Sequence, residues 1–249
     1  MDFITILYEK EDRMVKIIFN RPEKLNALNG TMWKEIRSAI EDANEDKDIV
    51  AIVITGSGRA FSAGNDISDF EGSIGDGSAE KLIQAIVNSK KPVISAVNGL
   101  AFGGGFEIVL ACDISIASES SSFSFPEPKL GIFPPFGIWL LPQLIGAKKA
   151  KYLMLTSDVI DGKEAERLGL VSLVVPDNQL ETATRDIVEK IKRIAPLAIG
   201  EIKSGIDRNL SSDELSKAIS SVERLLDSKD FKEGSEAFFD KRSPKFKGV

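Results

Sequence analysis

Histidine is absent from all 249 residues. That removes Ser-His-Asp and Cys-His machinery and every His-ligated metal site, so a proton moved near neutral pH must travel on a carboxylate, Lys, Tyr or Cys with a tuned pKa. Cysteine occurs once, in Val109-Leu110-Ala111-Cys112, which excludes an internal disulfide and reads as a small buried hydrophobe rather than a nucleophile. No stretch approaches the ~18 uninterrupted apolar residues of a membrane span, and Met1-Asp2-Phe3 lacks the basic start of a secretory leader. The expectation is a cytoplasmic protein without membrane contact. Positive charge is also in short supply: 32 Lys and Arg against 38 Asp and Glu leave a net charge of -6, which argues against a nucleic-acid surface. A local basic patch can still receive one phosphorylated ligand. The tail, Lys241-Arg242 with Lys245 and Lys247, is the candidate, and its ordinary alternative is a solvated chain end.

What is present is enough apolar content, 43%, for a substantial core. Val15 to Phe19 reads as a strand that breaks at Asn20-Arg21-Pro22. A helix follows, for which Thr31 is the expected N-cap and Glu35 the closing residue of a capping box, with Met32, Ile36, Ala39, Ile40 and Ala43 on one face. Val50 to Ile54 is short, apolar and β-branched, hence a buried strand. The cycle repeats with a helix over 79–89, a strand over Val93–Val97, another helix, and a strand over Asp113–Ala117. Beyond about residue 137 helices are expected near 148–155, 162–168, 180–194, 197–209, 212–228 and 230–240, interrupted by the short run Val171 to Val175. This is an α/β core, over 1–195, with a helical region over 196–249, working as one unit. Gly72 to Ser78, rich in glycine and small polar residues, is the best candidate for a mobile loop.

Two small-residue turns follow successive strands, Ala60-Phe61-Ser62-Ala63-Gly64-Asn65-Asp66 and Asn98 to Glu107. Such turns lie where α/β folds bind ligands. The second opens into a helix, whose free N–H groups favour an anion or a developing negative charge. Gly103-Gly104-Gly105 has neither the spacing of a dinucleotide fingerprint nor the ending of a P-loop, and tight packing is the commoner use of such a run. Glu107 stands one turn into an otherwise apolar helix, where a surface glutamate is not expected. Glu127 is fixed between Pro126 and Pro128, just after the strand-like Ser122 to Phe125, and the residues alone leave function and an exposed loop evenly balanced.

Ala60 to Ile67, Lys91 to Gly99, Gly103 to Glu107 and Cys112-Asp113, in this order and spacing, resemble the signature of the enoyl-CoA hydratase/isomerase (crotonase) family. The likeness runs from Asn20-Arg21-Pro22 to Ala237-Phe238-Phe239-Asp240-Lys241-Arg242. It implies the crotonase (ClpP-like) fold, a spiral of β-β-α units followed by helices that assemble homotrimers or homohexamers. It implies an acyl-CoA thioester as substrate, with coenzyme A part of that substrate and no separate cofactor or metal. Backbone N–H groups of Ala63 and Gly104 would form the oxyanion hole, where losing one donor typically costs ~3–4 kcal/mol. Ala63, Gly64, Asn65, Asp66 and Ile67 would line the CoA-proximal pocket, with Ala27 and Leu28 as weaker candidates. Glu107 and Glu127 match the two catalytic carboxylates of family hydratases, Glu107 as base and Glu127 as proton donor.

The activity so implied is reversible syn addition of water to a 2-trans-enoyl-CoA. The alternatives are a Δ3,Δ2-enoyl-CoA isomerase and a non-catalytic member binding acyl-CoA or RNA. One departure stands out: where many hydratases carry P-G-x-G-G, this chain has Gly131-Ile132-Phe133-Pro134-Pro135-Phe136-Gly137, which is stiffer and bulkier. Phe133 and Phe136 either shape an acyl pocket or join the core.

Overall fold

The structure is a computed structural model that describes residues 3–69, 77–206, 228–242 and 244–249. Its elements in chain order are β1 (Ile6–Glu11), β2 (Met14–Phe19), α1 (Gly30–Glu45), β3 (Ala51–Gly56), β4 (Ala60–Ser62), α2 (Ser78–Val87), β5 (Val93–Val97), β6 (Leu100–Phe102), α3 (Gly104–Ala111), β7 (Ile114–Ser118), β8 (Ser122–Ser124), α4 (Gly137–Thr156), β9 (Ile160–Asp161), α5 (Gly162–Leu168), β10 (Leu173–Val175), α6 (Leu180–Ile191), α7 (Pro196–Ile206) and α8 (Lys229–Asp240).

Six strands form one sheet in the order β1-β2-β3-β5-β7-β10, and four form a second in the order β4-β6-β8-β9. Only the β1–β2 hairpin is antiparallel in the first sheet. The central strands β3, β5 and β7 are buried along nearly their whole length, as expected where both faces of a parallel sheet are covered. After each of them the chain turns once and adds a three-residue strand to the second sheet: β3 to β4, β5 to β6, β7 to β8. This step repeats the β-β-α unit and sets the two small-residue turns side by side.

The α1 boundary differs from expectation. Asn29, with extended backbone (φ −98°, ψ 172°), is the N-cap, and its side chain accepts from Met32 N at 2.9 Å. Thr31 lies inside the first turn. Asn ranks above Thr as a cap, and Glu35 is engaged elsewhere, accepting from Ile4 N and Thr5 N at 2.8 Å each. That bond ties the start of the chain to α1. Helix α4 begins at Gly137, well before 148, and is broken at Gly146 (φ 77°, ψ 156°). Cys112 is intermediate in exposure as a residue and packs against the core with its thiol buried, and that burial pushes the thiol pKa far up. The proposed loop over Gly72–Ser78 falls largely outside the described residues, as does the expected helix over 212–228.

Candidate active site

Residues 25–28 form a platform under both turns. Leu25 and Asn26 take left-handed backbone (φ 51° and 56°), which turns the chain tightly enough to present its polar groups inward. Asn26, fully buried, donates to Ser57 O (2.9 Å) and Ala60 O (2.8 Å) and accepts from Ser62 Oγ (2.9 Å). Leu28 pairs with Asn65 as an isolated parallel bridge. The turn after β4 is thus held in place by hydrogen bonds from a segment more than thirty residues earlier.

Backbone N–H groups can be accounted for one by one across this turn. Ala63 N donates to Leu25 O at 2.9 Å, Gly64 N to Ser62 Oγ at 3.1 Å, and Asp66 N to Leu28 O at 2.9 Å. The expected donor Ala63 is therefore already committed. Among the described residues the Asn65 N–H has no acceptor, and it is the uncommitted donor of the turn. Its side chain is held aside: Asn65 Oδ1 accepts from Trp33 Nε1 at 3.2 Å. On the facing turn Gly104 is the first residue of α3, and its N–H likewise has no acceptor among the described residues, while Glu107 N closes back onto Gly103 O at 2.9 Å. The turns touch. A Cβ on Gly64 (φ 96°) would lie 2.9 Å from Phe102 O, and one on Gly104 would lie 3.3 Å from Asn65 Oδ1. Two free donors are brought to one place at the positive end of a buried helix, the arrangement an oxyanion requires.

Both glutamates reach this place. All eight residues of α3 are buried, and Glu107 is 1% exposed. Its Oε1 accepts from Phe136 N and Gly137 N, each at 2.8 Å. Glu127 heads a short 3-10 turn, Glu127–Leu130, ended by Gly131 in left-handed backbone. It is buried, at 7% exposure, and not the exposed loop residue of the ordinary reading. Its Oε2 has no hydrogen-bond partner among the described residues. The carboxylate lies over Gly103, where a Cβ would stand 2.5 Å from Glu127 Oε1.

Burial pushes Glu107 up to about 7, opposed by the Gly137 and Phe136 N–H groups and reinforced by the charge of Glu127. Burial likewise pushes Glu127 up to about 7. Burial thus biases each carboxyl toward its neutral form, and the charge of Glu127 adds to that bias at Glu107. The partners divide the roles. Two N–H donors stabilise the ionised form at Glu107, and the orphan oxygen of Glu127 suits a group that keeps its proton.

The Gly131–Gly137 segment has a function that its sequence did not display. Pro134 and Pro135 lead directly into the two N–H groups that hold Glu107. Phe136 packs against the core, whereas Phe133 is exposed. Asp66 carries a different load: it accepts from Arg21 Nη2 at 2.8 Å and Ser68 Oγ at 2.6 Å and pairs with Lys24 at 3.3 Å. Bonds from Ser68, then Arg21 and Lys24, hold its carboxyl well below the usual range. Of the expected CoA-proximal residues, Leu28 is fully buried, Ala27 partly buried and Ile67 exposed. The Leu28–Asn65 bridge places them in one neighbourhood with Ala63 to Asp66. Among the described residues no helix is long and apolar enough to cross a membrane.

Residues 9–249 match the sequence model of the Enoyl-CoA hydratase/isomerase family. The chain is 36% identical over 257 residues to the short-chain-enoyl-CoA hydratase of Clostridium acetobutylicum, covering 97% of each protein. It is 36% identical over 262 residues to the crotonyl-CoA hydratase of Syntrophomonas wolfei, covering 99% of each. The crystal structure of enoyl-CoA hydratase from Bacillus anthracis superposes with a TM-score of 0.92 at 34% identity, over 99% of this chain and 100% of that one. The two sheets with their trailing helices are the crotonase fold.

Proposed function

Because this chain belongs to the enoyl-CoA hydratase/isomerase (crotonase) family, we propose that it is an enoyl-CoA hydratase, adding water reversibly and in syn fashion to a 2-trans-enoyl-CoA to give a 3-hydroxyacyl-CoA. The observation that carries this reading is the unequal partnering of two buried glutamates, one anchored by two N–H groups and one with an orphan oxygen, beside two uncommitted backbone donors. The thioester oxygen sits between Asn65 N–H and Gly104 N–H, where enolate charge builds up as water adds. Asn65 replaces Ala63 as the donor in this scheme because the Ala63 N–H is bonded to Leu25 O. Ala63 to Ile67, with Ala27 and Leu28, line the CoA-proximal wall.

Ionised Glu107, held through Oε1, takes a proton from the water whose oxygen bonds to C3. Glu127 delivers its proton to C2, and reversal of the same steps dehydrates the product. Each general acid or base contributes typically ~10²–10⁴-fold, and each oxyanion donor about 3–4 kcal/mol.

The test is the initial rate of loss of the conjugated enoyl thioester absorbance with crotonyl-CoA, in wild type and in Glu107→Gln and Glu127→Gln. A fall of ~10²-fold or more in each folded variant is expected. Wild-type turnover in H₂¹⁸O must place the label at C3. A double-bond shift from a 3-enoyl-CoA without label would replace the hydratase by the isomerase, which uses the same oxyanion donors and one proton shuttle.

A further inference from the structure

A cavity of about 250 Å³ lies at the edge of the main sheet away from the catalytic turns. Arg13, Val50 and Pro92, which border it, immediately precede β2, β3 and β5. From the other ends of β3 and β5 the chain turns into β4 and β6, and the turns that carry Asn65 and Gly104 follow those strands. Strands of six and five residues put roughly 17–20 Å between the cavity and the points where the chain turns toward β4 and β6.

The walls are apolar. Ile49 and Val50 meet Leu197 and Ile199 of α7, and Phe246 of the tail closes one side. The tail is clamped there: Asp230, 2% exposed, accepts from Lys247 N at 2.7 Å and Gly248 N at 2.8 Å, while its own N–H donates to Val249 O at 3.2 Å.

The side chains that line the cavity include five cations, Arg13, Lys47, Lys90, Lys91 and Lys247, and no Asp or Glu. Lys91 is committed to the carbonyls of Ala43 and Asp46, and Arg13 Nε to Asp48 O. Lys47, Lys90 and Lys247 are exposed, and among the described residues no carboxylate pairs with them. Two of the nearby acids are engaged elsewhere, Asp46 with Lys10 (2.8 Å) and Asp12 with Lys192 (2.6 Å), while Glu45 acts on Lys91. The sequence pointed to Arg242 in the same tail as part of a basic patch, but it turns away to Glu233 at 2.6 Å.

A cationic rim over an apolar pocket discriminates two ways. Inorganic phosphate satisfies the lysines and leaves the walls bare, and a neutral lipid fills the walls and leaves the charges unanswered. We infer that this cavity binds a small amphipathic carboxylate of the fatty-acid class, its apolar body between α7 and the tail and its head group at Lys47, Lys90 and Lys247, as a second site separate from the catalytic one.

Isothermal titration of the full chain with octanoate tests it. Saturable 1:1 binding is expected, unchanged by saturating butyryl-CoA and weakened at least tenfold in a Lys47→Gln/Lys90→Gln/Lys247→Gln variant. All three positions are exposed, so the variant retains the fold, which circular dichroism checks. Absence of saturable binding, equal affinity for octanol or inorganic phosphate, undiminished affinity in the triple variant, or displacement by butyryl-CoA would each overturn the inference.

Discussion

Glu107 and Glu127 share a buried space but differ in what touches them, and that difference sets the pH behaviour of the site. The proposed addition of water requires Glu107 ionised and Glu127 protonated, and burial pushes both up to about 7. Acidification removes the base and alkalinisation removes the acid, so kcat/KM for crotonyl-CoA should trace a narrow bell centred near pH 7, its limbs belonging to the pair. A plateau extending from pH 5 to 9 would mean that the acid and the base of the reaction do not both titrate near 7. Gly103 bears on the same pair. It has φ 51°, and a Cβ there would lie 2.5 Å from Glu127 Oε1. Gly103→Ala must displace that carboxylate and strain the backbone, at a cost of about 1–3 kcal/mol in stability. Steady-state kinetics should show at least a tenfold fall in kcat, and urea unfolding the loss of stability.

At the level of elements, α1 offers a test of which residue starts a helix. Asn29 accepts the Met32 N–H and Thr31 makes no cap. Asn29→Ala should lower stability by about 1 kcal/mol, whereas Thr31→Ala should stay within about 0.5 kcal/mol, both read from urea midpoints. The same helix marks what sequence could deliver. Its apolar face was legible because a 3.6-residue period survives any tertiary context. Its first residue was not, since Glu35 is drawn off to Ile4 and Thr5 across the fold. Strands β2, β3 and β5 were legible as dense β-branched runs. The three-residue strands β4 and β6 were not, because their pairings with each other and with β8 are long-range and too short to show a period. Glu107 stood out as a charge in an apolar helix. The choice between Ala63 and Asn65 did not, because it turns on whether a carbonyl from the left-handed turn at Leu25 and Asn26 reaches one N–H or another. The partners of Glu107 were equally hidden. Backbone N–H groups after Pro134-Pro135 carry no side-chain signature.

Across the whole molecule, the site is a place where folding is opposed. Glu127 titrates near 7 when folded, against an ordinary value near 4.3 in an unfolded chain. Below the lower value both states hold the proton and the group is neutral to stability. Between the two values the unfolded chain releases its proton while the folded chain keeps it, so stability declines as pH rises, and above the folded value the loss is complete. Asp66, held below the usual carboxylate range, acts in the opposite sense, but its contribution is lost only as pH falls through the acid region, so a comparison of pH 5 with pH 8 isolates the raised glutamates. Gln cannot ionise. Glu127→Gln should therefore be more stable than wild type at pH 8 by about 2 kcal/mol beyond any difference at pH 5, a gap measurable by urea unfolding at the two pH values. A difference independent of pH would mean that Glu127 ionises freely in the fold. The expected gain, coupled to loss of turnover in the same variant, would identify the buried proton on Glu127 as a cost that the fold bears for chemistry.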